Sequence, residues 1–229
     1  MTLLEEIQAL LERTYAATGI QLGSFLIGRR RFHDLSALAG EHTREMSDAG
    51  RTFLRILDGN LLLAIYYSNH VIQELEKQNP KRTLNERNIR PFIIFVEEIT
   101  HAVHAALRFL EGHREMSDED FARDLELQAK VDTYLVLQFF VGSLTRRRRL
   151  SDEERDWLRH HLFETERFAY NDPNLSERYR ETNSLGATYT RILDCLKPRE
   201  RVAEIRRFRP LPYPKQRRQI QGQFAHSAA

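Results

Sequence analysis

The run from Asn88 to Leu110, NIRPFIIFVEEITHAVHAALRFL, constrains this chain more than any other stretch. Phe92, Ile93, Ile94, Phe95 and Val96 are apolar on every side of a helix, and a helix of that kind is buried rather than laid on a surface. Into this run the sequence sets Glu97, Glu98, His101, His104 and Arg108. At about 100° per residue, Glu97, His101, His104 and Arg108 share one narrow stripe, and Glu98 points about a quarter turn away. An acid and an imidazole four residues apart on a buried helix have the form of a metal-binding or acid/base site. The same stripe also suits a solvated face or a structural polar network.

The flanking elements follow from local signals. Thr2 to Glu5 fits a capping box, and Leu3, Leu4, Ile7, Leu10, Leu11 and Tyr15 repeat at helical spacing up to Gly19. Gln21 to Ile27 reads as a short strand, Gly28 to Phe32 as a basic turn, and Asp34 to Met46 as a second short helix. Arg51 to Leu57 and Leu61 to Tyr67 are β-prone runs joined by Asp58-Gly59-Asn60, and Asp-Gly supplies the positive φ of a tight hairpin turn. Ser68 or Asn69 caps a helix through Lys77, ended by Asn79-Pro80. Ser117 to Asp120 opens a helix to about Val141, with Phe121, Leu125, Leu135, Val136 and Phe139 as its apolar face. Gln128 and Asp132 project from that face and require partners, since an unpaired buried polar group costs roughly 1–3 kcal/mol. Thr145 to Arg149 is a basic loop, Ser151 to Glu154 caps the next helix, and Asn174 or Ser176 starts one that Lys197-Pro198 ends. The expected fold is a mainly α (α+β) domain over residues 1–198, with a small hairpin or sheet before the buried central helix.

Residues 199–218 carry eight Lys or Arg against two Glu, so this segment holds +6 and the rest of the chain about −4. The sequence predicts that 199–229 is a basic tail, a helical stub followed by an extended end. A single cysteine, Cys195, excludes an internal disulfide; it reads as a buried thiol, and with no signal-like N-terminus the expected location is the cytoplasm. No apolar run approaches the roughly 18 residues of a membrane span. Gly-rich phosphate loops, a Gly-x-Ser-x-Gly elbow and a second Glu-x-x-His are absent, which disfavours nucleotide hydrolysis, serine esterase chemistry and a di-iron site.

Glu97-Glu98-Ile99-Thr100-His101 occupies the register of the His-Glu-x-x-His zinc motif with Glu in place of the first His. With a hairpin, a connecting helix and a following helix that offers Glu126, Gln128 or Asp132, residues 50–140 resemble the minimal zincin-type metallopeptidases. The wider pattern, including Glu126 to Asp132 and Glu177 to Arg180, is also similar to a bacterial family of uncharacterised proteins. The resemblance implies Glu97 and His101 as ligands, Glu126 or Asp132 as a third, and Glu98 as the base that activates water. Glu in place of His gives a carboxylate-rich set that suits a metal harder than zinc, or a scaffold that has lost catalysis and kept the fold. The expected function is a non-catalytic binding or regulatory protein whose basic tail engages a protein partner. A metal-dependent hydrolase is the alternative. A third reading is a nucleic-acid-associated factor that uses Arg146 to Arg149 and Arg199 to Arg218.

Overall fold

The computed structural model describes residues 1–39, 46, 48–147, 149–165, 168 and 170–227, with backbone alone for 224–227. Helix α1 (Leu3–Thr14) starts with the predicted reciprocal capping box, Glu5 N–H donating to Thr2 Oγ1 at 3.2 Å and Thr2 N–H to Glu5 at 2.8 Å. The stretch read as a strand from Gln21 is mostly a 3-10 turn (Leu22–Phe25); only Leu26–Ile27 forms strand β1. The basic turn Gly28 to Phe32 is instead the start of helix α2 (Arg29–Leu38), because Gly28 in extended backbone caps the arginines into the first turn. The remainder of the helix expected to reach Met46 falls largely outside the described residues.

Strands β2 (Gly50–Leu57) and β3 (Asn60–Tyr67) form the predicted hairpin, paired in register from Gly50 opposite Tyr67 to Leu57 opposite Asn60. Asp58 and Gly59 take φ of 49° and 75°, the two positive values that a two-residue turn matched to strand twist requires. β1 adds in parallel to β3, giving the sheet order β1-β3-β2.

Helix α3 (Asn69–Lys77), capped by Ser68, leads to the central helix α4 (Ile89–Leu110). Phe92, Ile93, Val96, Ile99, Ala102 and Val103 are fully buried, and α4 packs against α1, α3, both hairpin strands and α5 (Glu119–Thr145). Helix α5, capped by Asp118 rather than Ser117, is enclosed on its far side by α7 (Pro173–Cys195). It is therefore buried almost all round, and the residue at odds with the predicted face is Phe139, which is 46% exposed. Between α5 and α7 run α6 (Asp152–Arg159), opened by the capping box at Ser151, and a π-helical turn (His160–Glu164). Cys195, at the end of α7, is exposed rather than buried.

The expected helical stub is helix α8 (Pro198–Phe208), and the end read as extended instead folds back as helix α9 (Tyr213–Ser227). Pro198 ends α7 and starts α8, since proline suits the first helical turn, where its missing N–H is not needed. Ile205, Phe208, Tyr213 and Ile220 close a second apolar cluster with Leu127, Val131, Tyr189 and Leu193. Phe208 stacks on Tyr189 with ring centroids 4.1 Å apart. Many of the tail's cations are spent inside the molecule. Arg206 caps the C-terminal carbonyls of Arg13 and Thr14, Arg201 donates to Leu193 O and Gln138, Arg209 pairs with Glu111 and Arg217 with Glu181. None of the described helices is long and apolar enough to cross a membrane.

Candidate functional site

The sheet lies directly on the N-terminal half of α4. A Cβ on Gly50 would sit 2.6 Å from Ile94 Cγ2 and 3.1 Å from Glu98 Cγ, so glycine is what allows the strand to close at this level. Thr52 Oγ1 donates to the Glu98 carbonyl at 3.1 Å and the Tyr67 hydroxyl to the Phe95 carbonyl at 2.9 Å, fixing the spacing of hairpin and helix. Between β2, α4, α5 and α7 there remains a cavity of about 260 Å³. Leu54, Ile94, Phe121 and Leu125 give it apolar walls, and Glu97, Glu98, His101, Glu126, Lys130 and Tyr179 give it a polar one.

His101 sits between two carboxylates on opposite edges of its ring: Nδ1 lies 3.6 Å from Glu98 Oε2, and Nε2 lies 3.6 Å from Glu126 Oε2. Both distances exceed hydrogen-bond length. Glu98 Oε2 and His101 Nε2 are accordingly buried with no hydrogen-bond partner among the described residues. Burial opposes charge on the imidazole, but Glu126 first and Glu98 second outweigh it and hold His101 well above the ordinary histidine range. Burial likewise opposes the charge of Glu126, while His101 and then Lys130 overcome it and hold that carboxyl below its usual range. The cluster thus sets an imidazole between two acidic side chains, one on each edge of the ring. Tyr179 is pushed well up, by burial and then by the charge of Glu126, and so keeps its proton as a donor. At the inner end of the cavity Lys130 Nζ donates to Glu97 Oε1 at 2.7 Å.

The C-terminal half of the stripe differs. His104 Nε2 lies 2.6 Å from Asp132 Oδ2, and the Tyr15 hydroxyl donates to Asp132 Oδ1 at 2.7 Å, tying α1, α4 and α5 together. Arg108 donates to Asp124 at 2.8 Å and to the carbonyls of Arg209, Pro210 and Leu211 at 2.8–3.0 Å, and Gln216 closes the network on Asp124 at 2.8 Å. One α4 side chain therefore anchors the α8–α9 connection. Among the described residues, His104 Nδ1, Arg209 Nη1 and Gln216 Oε1 are the buried atoms of this network left without a hydrogen-bond partner, each on a side chain that is otherwise engaged.

Of the residues read as metal ligands, the structure brings His101 and Glu126 together, with Glu98 on the other edge of the ring. Glu97 is turned to Lys130, and Asp132 to His104 and Tyr15. Among the described residues there is no group of three His, Cys, Asp or Glu placed to hold one ion, and zinc sites take at least three protein ligands. The set of Glu97, His101, Glu126 and Asp132 does not fit a single metal. Gln128, expected to join the polar stripe, is buried with its Nε2 unpartnered.

Lys130 and Tyr179 belong to the site and were not among the candidates drawn from the sequence. Lys130 carries a signal in standing four residues after Glu126, one turn along the same face of α5; Tyr179 reads locally as core. Comparison with protein-family models, with curated proteins and with solved structures finds no match to this chain.

Proposed function

We propose that the protein is a small-molecule-binding protein whose ligand enters the cavity between the hairpin, α4, α5 and α7. The observation that carries this reading is the pair of orphaned atoms, Glu98 Oε2 and His101 Nε2, buried at the cavity. Each costs roughly 1–3 kcal/mol when left unmatched, a burden a fold retains where a ligand supplies the missing bonds. The cavity is smaller than the ~300–1,000 Å³ of drug-sized sites, so the ligand is compact. The unpartnered Glu98 oxygen calls for a donor and an Nε2–H on His101 for an acceptor. A head group with both, such as the ammonium and carboxylate of an amino acid, beside a short apolar body matches the two walls. The engagement of Arg201, Arg206, Arg209 and Arg217 within the fold draws the partner reading away from the tail.

The test is calorimetry and thermal melting with a panel of α-amino acids and short aminoalkyl acids, on the wild type and on Glu98→Gln/Glu126→Gln. A ligand at 100 times its Kd raises stability by about 2.7 kcal/mol in the wild type alone. Failure of every panel member, or equal stabilisation of the variant, contradicts the reading. The metal-dependent hydrolase is separated by metal content: a stoichiometric ion lost in His101→Ala would replace small-molecule binding with that alternative.

A further inference from the structure

The basic stretch after α5 and the start of α8 are distant in sequence and meet in space. α5 ends at Arg146 in the left-handed conformation, φ 54°, and the Arg147 N–H returns to the Gly142 carbonyl at 3.1 Å, which keeps Arg147 beside the helix end, where Arg149 also lies. α7 stops at Cys195, and Lys197-Pro198 turns the chain into α8 beside them. A groove of about 650 Å³ runs between these ends, lined by Arg147, Arg149, Arg155, Lys197 and Arg201, with the exposed ring of Phe139 beside them.

Its charge is not balanced locally. The acid in the groove, Asp194, already receives Tyr134, Gln138, Arg159 and Arg201. Arg155 is held by Asp152 and the Leu150 carbonyl. The side chains of Arg147, Arg149 and Lys197 have no carboxylate partner among the described residues. Three cations without carboxylate partners therefore share a concave surface with an exposed phenyl ring.

We propose that this groove binds single-stranded nucleic acid, with backbone phosphates on Arg147, Arg149 and Lys197 and a base stacked on Phe139. Phosphates recruit a row of cations, and an unpaired base offers the flat face that an exposed ring takes up. A duplex keeps its bases stacked and cannot reach Phe139. The site is independent of the cavity at Glu98 and stands or falls without it.

Fluorescence anisotropy of the full chain with a labelled oligothymidylate of about 12 nucleotides tests it. Affinity should fall with salt at a log–log slope of about −2, the value for three contacts on a single strand. Arg147→Ala/Arg149→Ala should weaken binding at least tenfold at low salt and shrink the slope by about 1.4. Phe139→Ala should weaken binding by about fivefold or more and leave the slope unchanged. These side chains are exposed, so melting temperatures should match the wild type. Absent or salt-insensitive binding overturns the proposal. So does displacement by polyglutamate or ATP as effective as by unlabelled oligonucleotide, which would make the groove an acidic-peptide or mononucleotide site.

Discussion

The two halves of the α4 stripe are written in the same residue types and end in opposite states. Towards the N-terminus, His101 faces Glu98 and Glu126 across 3.6 Å gaps, and two of the three side chains keep a buried atom unbonded. Towards the C-terminus, His104 and Arg108 meet Asp132 and Asp124 at 2.6–2.8 Å, and Arg108 also holds three carbonyls of the α8–α9 connection. The difference lies in what stands opposite. The C-terminal half faces α1, α5 and the folded-back end of the chain, all of which deliver matching groups. The N-terminal half faces a cavity kept open by the hairpin and α7. Polar groups that close an internal network contribute fully to stability, whereas groups that face one another across a gap contribute less and keep atoms available to something else.

The largest test of the contrast removes what the structural half anchors. Deleting residues 199–229 strips Ile205, Phe208, Tyr213 and Ile220 from the core. At about 1.5–3 kcal/mol per large apolar side chain, urea unfolding should show a loss of about 5 kcal/mol or no cooperative transition. An unchanged midpoint would mean the tail is peripheral. Next in size, Asp132→Ala leaves His104 and Tyr15 buried without their acceptor and should cost about 3 kcal/mol, read as a drop of about 6–12 °C in Tm.

A smaller effect is expected from pH. The folded pKa of His101 is raised, so its contribution is complete below the unfolded value of 6.5 and fades as pH rises through the folded value. The folded pKa of Glu126 is lowered, so its contribution is present above 4.5 and fades as pH falls through the folded value. Stability from this pair should thus peak between those limits. The alkaline loss should shrink in His101→Gln, and urea midpoints across pH check it; an unaltered profile would remove His101 as its source. The smallest change should come from Glu98→Gln/Glu126→Gln, within about 1 kcal/mol of wild type, because the amides keep the size of the acids and the 3.6 Å separations hold no hydrogen bond to lose.

Much of the architecture was legible because its causes are local. The capping boxes at Thr2 and Ser151, the Asp58-Gly59 turn and the all-round hydrophobicity of Phe92 to Val96 each specify an element within a few residues. The docking of the C-terminal segment and the existence of α9 were not: Ile205, Phe208, Tyr213, Gln216 and Ile220 carry a buried face, but the surrounding arginines and prolines read as solvated tail. Their partners, Arg13, Thr14, Glu111 and Glu181, lie far off in sequence. The site was half legible. Glu98, His101 and Glu126 do come together, while Glu97 and Asp132 sit on the same faces and are claimed by Lys130, His104 and Tyr15. Periodicity places a side chain on a face and does not say which neighbour reaches it first.

The most direct measurement is therefore a matched pair of isosteric double variants compared by urea denaturation at neutral pH, Glu98→Gln/Glu126→Gln against Asp124→Asn/Asp132→Asn. The contrast between the halves predicts a change of no more than about 1 kcal/mol for the first and a loss of about 3 kcal/mol or more for the second. Equal losses would contradict it, placing Glu98 and Glu126 in the same structural network as Asp124 and Asp132.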